Sequence, residues 1–355
     1  MRLYGRSKVA LTYFMVKGVH IMSIIDAIIQ GIVQGLTEFL PVSSSGHLSI
    51  TQHILGATEN NLFFNVMLHV GTLVAVVAFY HKLIWSLIKE FFSLVKDVFT
   101  GKFKWKEMNY ERNLIMMLII GLLPLFLLFL PIPGTDMKIK DLADVLTGER
   151  YLIVVSISLM ITSILLTVGI ICNKRTIGSN AGFKHLKNVK HSENSAGKES
   201  FNVLDAVCVG LMQFVAAIFP GISRSGSTLA VGEMRGINKQ KALDYTFVLG
   251  VPSILAAALL EGVDAIKSPE GISIDPVVII VGMVVSAIVG YFAILIFKWF
   301  LKTDKMIIFV VYTALVGIVF LVISCIEMNT GANVFTGAMT VSYTHLRAHE
   351  TGRNL

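Results

Sequence analysis

Charged side chains are scarce in this chain of 355 residues: Asp, Glu, Lys and Arg make up 15% of it, against roughly 25% in an average soluble domain. Apolar residues make up 54%, and the mean hydropathy is +0.73. They fall into blocks of about 20 residues, the length at which a helix spans a bilayer. These values exclude a disordered chain and a soluble nucleic-acid-binding protein, and no nucleic-acid partner is expected. They predict a helical protein that crosses a membrane several times.

Cysteine is scarce as well. The three cysteines, Cys172, Cys208 and Cys325, are far apart in the sequence and form no CxxC pair. This excludes a disulfide-stapled secreted scaffold, and it indicates small residues that pack between apolar helices. The sequence also has no nucleotide-binding loop, no zinc-ligand pattern and no dinucleotide-binding fingerprint.

The formal net charge of +7 is concentrated at the two ends of the chain. Residues 1–22 contain four basic residues and no acid, and the last fifteen residues add a net charge of +1. We expect residues 1–21 to be an extension before a true start at Met22, and residues 341–355 to be a non-native tail. The remaining body is close to neutral, so the charge gives no reason to expect an acidic partner.

Six apolar segments are long enough to cross a bilayer. The predicted crossings are 66–88, 113–132, 151–172, 241–261, 276–298 and 306–326. Two further apolar stretches, 23–60 and 202–236, are interrupted in the middle by Pro, Gly and Ser. Neither half of either stretch is long enough for a full crossing, so each stretch is expected to form a re-entrant hairpin.

The charges of the connecting loops predict the orientation. The connection 82–112 carries seven Lys or Arg against four acids, whereas 133–150 carries three against four. Because basic loops stay in the cytoplasm, the six crossings alternate correctly only if each broken stretch begins and ends on one side. Irregular backbone is tolerated at membrane depth where it is buried in protein or lines a wet cavity. The polar loop 173–200 is expected to be a cytoplasmic connector that touches anionic lipid.

An internal repeat relates the two broken stretches. A shift of 179 residues aligns Asp26 with Asp205, Gln34 with Gln213, Pro41 with Pro220, Gly71 with Gly250 and Ala78 with Ala257. Each half, 22–172 and 201–330, then contains one hairpin and three crossings. Because three is odd, the second half is inverted relative to the first. The predicted fold is an all-α, polytopic inverted repeat in which the two hairpin tips face each other.

The first hairpin tip carries titratable and hydroxyl side chains. Gln34 and Glu38 are four residues apart, so they share a helical face that points toward the break. Pro41 ends that helix, Ser43–Ser45 can cap the next one, and His47 falls in its first turn. A Glu and a His are costly at membrane depth, which favours a functional role. The alternative is a hydrogen-bonded structural pair that joins helices.

The second tip, 220–228, has the composition of an anion site. Small residues, hydroxyl groups and backbone N–H groups at the start of a helix favour an anion. Arg224 adds a planar guanidinium that suits phosphate oxygens, although a sulfate or a carboxylate would also fit. The alternative is that Arg224 forms an internal pair with Glu38.

Together the tips offer a carboxylate, a hydroxyl, an imidazole and a guanidinium, the set that phosphoryl transfer needs. A transporter or flippase that uses the repeat for alternating access would need the Arg and the N–H groups, but it has less use for a Ser-x-x-His beside a Glu. A structural or partner-binding membrane protein is the third alternative.

Two motifs carry a resemblance to a known family. GLTEFLPVSSSGHL at 35–48 and PGISRSGST at 220–228 resemble the signature segments of undecaprenyl-diphosphate phosphatase, the bacitracin-resistance family, and the hydropathy of 22–330 also fits. The resemblance implies hydrolysis of the C55 isoprenyl diphosphate to the monophosphate, which recycles the lipid carrier for peptidoglycan synthesis. It also implies a multi-pass protein of the bacterial plasma (inner) membrane, an active site that faces the outer side, and a divalent cation, Mg²⁺ or Ca²⁺.

The resemblance also implies roles for individual residues. Glu38 would position the metal or a water, Ser44 would be the nucleophile or its positioner, His47 would be the acid/base partner, and Arg224 would grip the diphosphate. The other residues expected to contact the substrate are Gln34, Ser43, Ser45, Gly221, Ser223, Ser225, Gly226 and Thr228. Gln34 stands where many members have Glu, which removes one charge from a metal site. The attacking group stays open between Ser44, His47 and water, and the oligomeric state, a homodimer included, stays open too.

Overall fold

The computed structural model describes residues 22–55, 62–146, 151–181, 197–267 and 274–337. These residues form twelve α-helices and two short 3-10 segments, and no β-strand occurs among them. The helices are α1 Ile24–Phe39, α2 Ser44–Leu55, α3 Leu62–Phe79, α4 His81–Phe99, α5 Tyr110–Leu122, α6 Asp141–Leu146, α7 Tyr151–Ala181, α8 Val203–Ile218, α9 Arg224–Met234, α10 Lys239–Lys267, α11 Pro276–Lys302 and α12 Ile307–Thr330. The expected extension 1–21, the tail 341–355 and residues 182–196 of the polar connector lie outside the described residues.

Five helical segments of the described chain are long and apolar enough to cross a membrane. They are Tyr110–Phe129, Leu152–Arg175, Lys239–Leu260, Pro276–Lys302 and Ile307–Thr330. A sixth is present if the bent pair formed by α3 and α4 counts as one span. The all-helical, multi-pass class is therefore confirmed.

The structure differs from the predicted crossing 66–88 at Tyr80. The helix ends at Phe79, the chain turns by 86°, and α4 continues from His81. From this point Lys, Glu and Asp residues fall on one face of the helix and apolar residues on the other, whereas α3 contains no Lys, Arg, Asp or Glu. An amphipathic helix of this kind is typical of the membrane interface. The predicted basic connection 82–112 thus begins with a helix of 19 residues.

The predicted crossing 113–132 also changes character inside the apolar run. Its α-helical part, α5, ends at Leu122, and a 3-10 segment with Pro124 near its start continues to Phe129. Proline has no N–H group for the helical ladder, which accounts for the change of backbone at this point.

Both broken stretches consist of two short helices with an irregular turn between them. The helices α1 and α8 have 16 residues each, whereas α2 has 12 and α9 has 11. Each of the two longer helices, α1 and α8, is therefore about 24 Å long, which is less than the roughly 30 Å thickness of a hydrocarbon core. Each longer helix starts with a capping box, Ser23 with Asp26 and Asn202 with Asp205. These two acids are therefore accounted for by capping.

Small residues hold α1 close against α11. A Cβ atom added at Gly31 would lie 2.8 Å from the carbonyl oxygen of Gly282, and one at Gly35 would lie 2.8 Å from that of Ser286. This is the packing by which membrane helices approach each other most closely. It fixes the rotation of α1, and with it the direction of the Glu38 side chain.

Helix α7 packs beneath both turns. Its Thr162 accepts a hydrogen bond at 3.0 Å from the backbone N–H of Ser223 in the second turn. Val155 lies close to both tips. A Cβ atom added at Gly221 would lie 2.7 Å from the Val155 carbonyl oxygen, and one added at Gly46 would lie 3.3 Å from the Val155 side chain. One helix of the first half therefore supports the tips from both halves.

Candidate active site

The tips of the two broken stretches touch. The Ser225 hydroxyl donates to the carbonyl oxygen of Leu40 at 3.3 Å, and the backbone N–H of Gly221 donates to Ser45 Oγ at 3.4 Å. These contacts join residues about 180 positions apart in the sequence. The candidate residues of the two motifs therefore belong to one site.

Each tip has a residue in the left-handed backbone region. Gly221 has φ of +96°, and a Cβ there would also collide with the backbone of α7. Ser43 has φ of +74°, which is uncommon for a residue other than glycine. Its hydroxyl accepts from the backbone N–H of Gly46 at 3.2 Å, as Ser223 Oγ accepts from Gly226 at 3.1 Å. Both serines thus cap the helix that follows them.

Glu38 is the centre of the polar cluster. Its Oε1 accepts from Arg224 Nη2 at 2.5 Å, and its Oε2 accepts from Ser44 Oγ at 2.6 Å and from Gln34 Nε2 at 3.1 Å. The Nε2 atom of His69 lies 3.5 Å from the same Oε2. Only 5% of Glu38 is exposed. The internal pair with Arg224 that the sequence left open is therefore present, and it coexists with the Ser44 contact.

A cavity of about 340 Å³ lies against this cluster. Its lining comprises Glu38, Ser43, Ser44, Ser45, Val66, His69, Ala216, Ala217, Ile222, Ser223, Arg224, Ser225, Ser253, Ile254 and Ala257. Seven of the predicted site residues are in this set. The other five predicted residues are not among the lining residues, namely Gln34, His47, Gly221, Gly226 and Thr228. The volume is within the usual range for a small-molecule site.

His47 supports the first tip from behind. Its Nδ1 lies 2.8 Å from the carbonyl oxygen of Ser43, and its Nε2 lies 2.8 Å from the Tyr312 hydroxyl, whose ring stacks on the imidazole. Because a carbonyl only accepts, we assign the proton to Nδ1, and Tyr312 donates to Nε2. Both ring nitrogens are thus used outside the cavity, and they hold the left-handed turn at Ser43.

His69, by contrast, faces the cavity. Its Nδ1 lies 2.7 Å from the carbonyl oxygen of Asn65, so the proton again belongs on Nδ1 and Nε2 is turned toward Glu38. The sequence indicates His69 as a plausible neighbour of the pocket, with a packing or interface role as the more common alternative. An imidazole in an otherwise apolar helix is costly, so the sequence does single out His69. The two motifs, however, do not include this residue. Ser253 also lines the cavity, and no pattern in the sequence indicated it.

Gly250 makes room for the Arg224 side chain. A Cβ atom at this position would run into the guanidinium group. The flexible end of an arginine can move aside more easily than backbone, so Gly250→Ala is expected to move the guanidinium away from Glu38 with little effect on stability. We expect a roughly tenfold lower kcat, equal to about 1.4 kcal/mol, and an unchanged thermal midpoint.

Gly262 provides the control for this substitution. It lies on the same helix with open space around it, so Gly262→Ala tests the general effect of adding a methyl group to α10. Equal kcat values for the two variants would contradict a role for Gly250 in seating Arg224.

The oxygen atoms around Glu38 suit a hard cation. Gln34 Oε1 is buried without a hydrogen-bond partner, while the other end of its amide is bonded to Glu38. No group of three or more His, Cys, Asp or Glu side chains in the described part of the chain forms a metal cluster. Mg²⁺ is commonly held by one or two carboxylates together with substrate phosphates. The donor set therefore fits a cation that is bound jointly with a phosphorylated ligand.

Comparison with known proteins places these residues in a family. The family described as "Bacitracin resistance protein BacA" matches residues 27–319. A protein of Alkaliphilus metalliredigens named undecaprenyl-diphosphatase is 36% identical over 304 residues, which cover 85% of this chain and 99% of that protein. Proteins with the same name from Methanosphaera stadtmanae and Bacteroides fragilis are 32% and 33% identical, over 86% and 85% of this chain and 99% and 98% of their own lengths.

Proposed function

The chain belongs to the bacitracin resistance protein BacA family, and on this basis we propose that it is a membrane phosphatase that converts undecaprenyl diphosphate to undecaprenyl phosphate and inorganic phosphate. The observation that carries the proposal is the buried Glu38 that holds both Ser44 and Arg224 at the edge of a cavity. Such a reaction returns the lipid carrier to the form used in peptidoglycan synthesis and accounts for bacitracin resistance.

Arg224 and the tip serines would bind the terminal phosphate. The contact with Glu38 uses Nη2 of Arg224, and a guanidinium offers five N–H donors. Phosphate oxygens can therefore be bound while the contact with Glu38 is kept. Ser223 and Ser225 line the same end of the cavity, and their hydroxyl groups would turn from their present partners toward the phosphate oxygens when the substrate binds. Donors held around the phosphate stabilise the charge that develops during phosphoryl transfer.

Ser44 would be the nucleophile, with Glu38 as its base. Because Ser44 Oγ already donates to Glu38 Oε2 at 2.6 Å, its proton can pass to the carboxylate as Oγ bonds to the terminal phosphorus. The bond from phosphorus to the bridging oxygen breaks, and undecaprenyl phosphate leaves with the bonding electrons. Water then cleaves the phosphoserine, releases phosphate and restores the serine proton. Within this scheme His47 is a positioning residue.

The proposal includes a divalent cation, Mg²⁺ or Ca²⁺. Glu38 would hold it together with the diphosphate oxygens of the substrate, and Gln34 Oε1 would add a neutral oxygen. When bound, the cation neutralises part of the charge of the transferred phosphate.

The proposed arrangement in the membrane is an inverted repeat in the bacterial inner membrane, with the cavity toward the outer side. The support is the matching pair of broken helices, each with its own capping box, and the basic connection after α3. In a cysteine-free background, Thr135→Cys should react with a membrane-impermeant thiol reagent on intact cells, and Ser93→Cys should not. The opposite labelling pattern would exclude this orientation.

The function is tested with the purified protein in detergent micelles and undecaprenyl diphosphate as substrate. The wild type is expected to release phosphate. This release should stop when EDTA is added and resume when excess Mg²⁺ or Ca²⁺ is added. Ser44→Ala should retain less than about 1% of the activity, and acid quenching should trap phosphoserine only in the wild type. A wild-type protein that binds the lipid but releases no phosphate would contradict the enzyme and favour the carrier alternative.

A further inference from the structure

The cavity has two chemically different ends, and the proposed chemistry uses only one. The polar end is formed by Glu38, Arg224 and the serines of the two tips. The apolar residues of the lining are Val66, Ala216, Ala217, Ile222, Ile254 and Ala257, and those that belong to α8 and α10 form the apolar end. These side chains offer no hydrogen-bonding group, so they suit a hydrocarbon chain and not a phosphate.

The apolar end is formed mainly by residues of α8 and α10, and two of these residues are exposed. Ser253 Oγ donates to the carbonyl oxygen of Leu249 at 3.0 Å, and it lies 3.4 Å from Gln213 Oε1 on α8. One turn further along each helix are Ala217 and Ala257, and both are exposed. Beyond them, Leu260 is 49% exposed, which extends the exposed apolar surface past these two alanines. Exposed apolar residues of a membrane-spanning helix face lipid.

The apolar end lies close enough to the polar end to serve one ligand. Gly250 packs against the Arg224 guanidinium, and Ala257 follows seven residues later on the same helix, or about 10 Å along its axis. A single molecule with a charged head and an apolar chain can therefore contact both ends.

We infer that Ala217 and Ala257 form a lateral portal through which the isoprenoid chain of the diphosphate substrate passes from the cavity into the bilayer. This inference rests on the proposed function and extends it to the lipid part of the substrate. Two alanines at this place leave room for a methyl-branched chain, which a larger side chain would block. The portal therefore selects substrates by their chain, independently of the phosphate-binding groups.

A second apolar groove on the protein does not meet the same requirements. It is lined by Val74, Ala75, Ala78, Ala287, Ile288, Tyr291 and Phe292 and has a volume of about 330 Å³. On α3, at about 100° per residue, Val74 and Ala78 point away from Val66 and His69. The groove therefore lies on the far side of α3 from the phosphate-binding groups.

The test is to measure kcat/KM of the Ala257→Phe variant with two long diphosphate substrates and one short one. For undecaprenyl and farnesyl diphosphate we expect kcat/KM to fall about 100-fold, the scale on which hydrophobic pockets discriminate. For dimethylallyl diphosphate, whose chain ends before the portal, kcat/KM should stay within about threefold. Ala78→Phe is the matched control, because Ala78 is the repeat equivalent of Ala257 and lines the second groove.

A second measurement does not depend on how the variant folds. A farnesyl diphosphate analogue with a photoreactive group at the end of its chain should cross-link wild-type protein at the peptide that contains Ala257. Cross-linking at α11 instead, or a chain-length effect with Ala78→Phe and not with Ala257→Phe, would overturn the portal. Equal losses for short and long substrates would overturn it as well. If the wild type hydrolyses none of the three diphosphates, the proposed function itself fails.

Discussion

Replacing Glu38 with glutamine is expected to lower kcat for phosphate release by about 1,000-fold or more. The amide cannot take the proton of Ser44, and it cannot balance the charge of Arg224. General-base catalysis alone is worth about 10²–10⁴-fold, and the displaced guanidinium adds to the loss. The measurement is steady-state phosphate release, with circular dichroism to show that the helical content is retained.

Glu327 supplies a matched control for this prediction. It is also buried, and it is hydrogen-bonded to His53 at 2.8 Å, but it does not line the cavity. Glu327→Gln removes the same charge from the same kind of environment and should keep kcat within about threefold. Full activity in Glu38→Gln would show that another group is the base.

Replacing Arg224 with lysine is expected to lower kcat/KM by about 100- to 1,000-fold, although the charge is kept. A lysine ammonium cannot hold Glu38 and also present a planar fork to the phosphate oxygens. We expect KM to rise and kcat to fall together, because the same donors contact the bound substrate and interact more strongly with the transition state.

Arg235 is the corresponding control, because it lies just after α9 and its Nε pairs with Asp205 at 2.8 Å, away from the cavity. Arg235→Lys should leave kcat/KM nearly unchanged. A similar loss in both variants would indicate that the second hairpin depends on arginine for its fold and that Arg224 has no special role at the phosphate.

The sequence was sufficient to predict which two segments meet at the candidate site. Polar residues at the break of an apolar helix are costly, so Glu38 and Arg224 stand out without any structure. The repeat also predicted that the two tips face each other. Local composition and register are properties of the chain itself, so both predictions can be made without a structure.

The roles of the two histidines needed the tertiary structure. His47 is closest to Ser44 in the sequence, yet its ring is turned toward Tyr312, which follows 265 residues later. His69 lies outside both motifs, and it reaches Glu38 only because α3 packs beside the first tip. Side-chain direction on a helix depends on which neighbour each face meets, and a single sequence does not contain that information.

The end of α3 illustrates the same limit for helix boundaries. A hydropathy window averages over the apolar run and extends it to residue 88. It does not register that the charged residues of α4 fall on one face. The bend at Tyr80 is further supported by Lys298, whose ammonium lies 4.8 Å from the Tyr80 ring centre. This contact comes from a distant helix and cannot be predicted from the local sequence.

The proposed repeat register pairs unlike residues at the two tips. At a shift of 179 residues, Glu38 corresponds to Ala217 and Arg224 corresponds to Ser45. The Glu38 carboxylate therefore corresponds to Ala217, which lines the proposed portal. The Arg224 guanidinium corresponds to the hydroxyl group of Ser45. Neither half contains both charges. In the proposed repeat the two tips occupy matching positions, and the proposed chemistry depends on the unlike residues that they carry there.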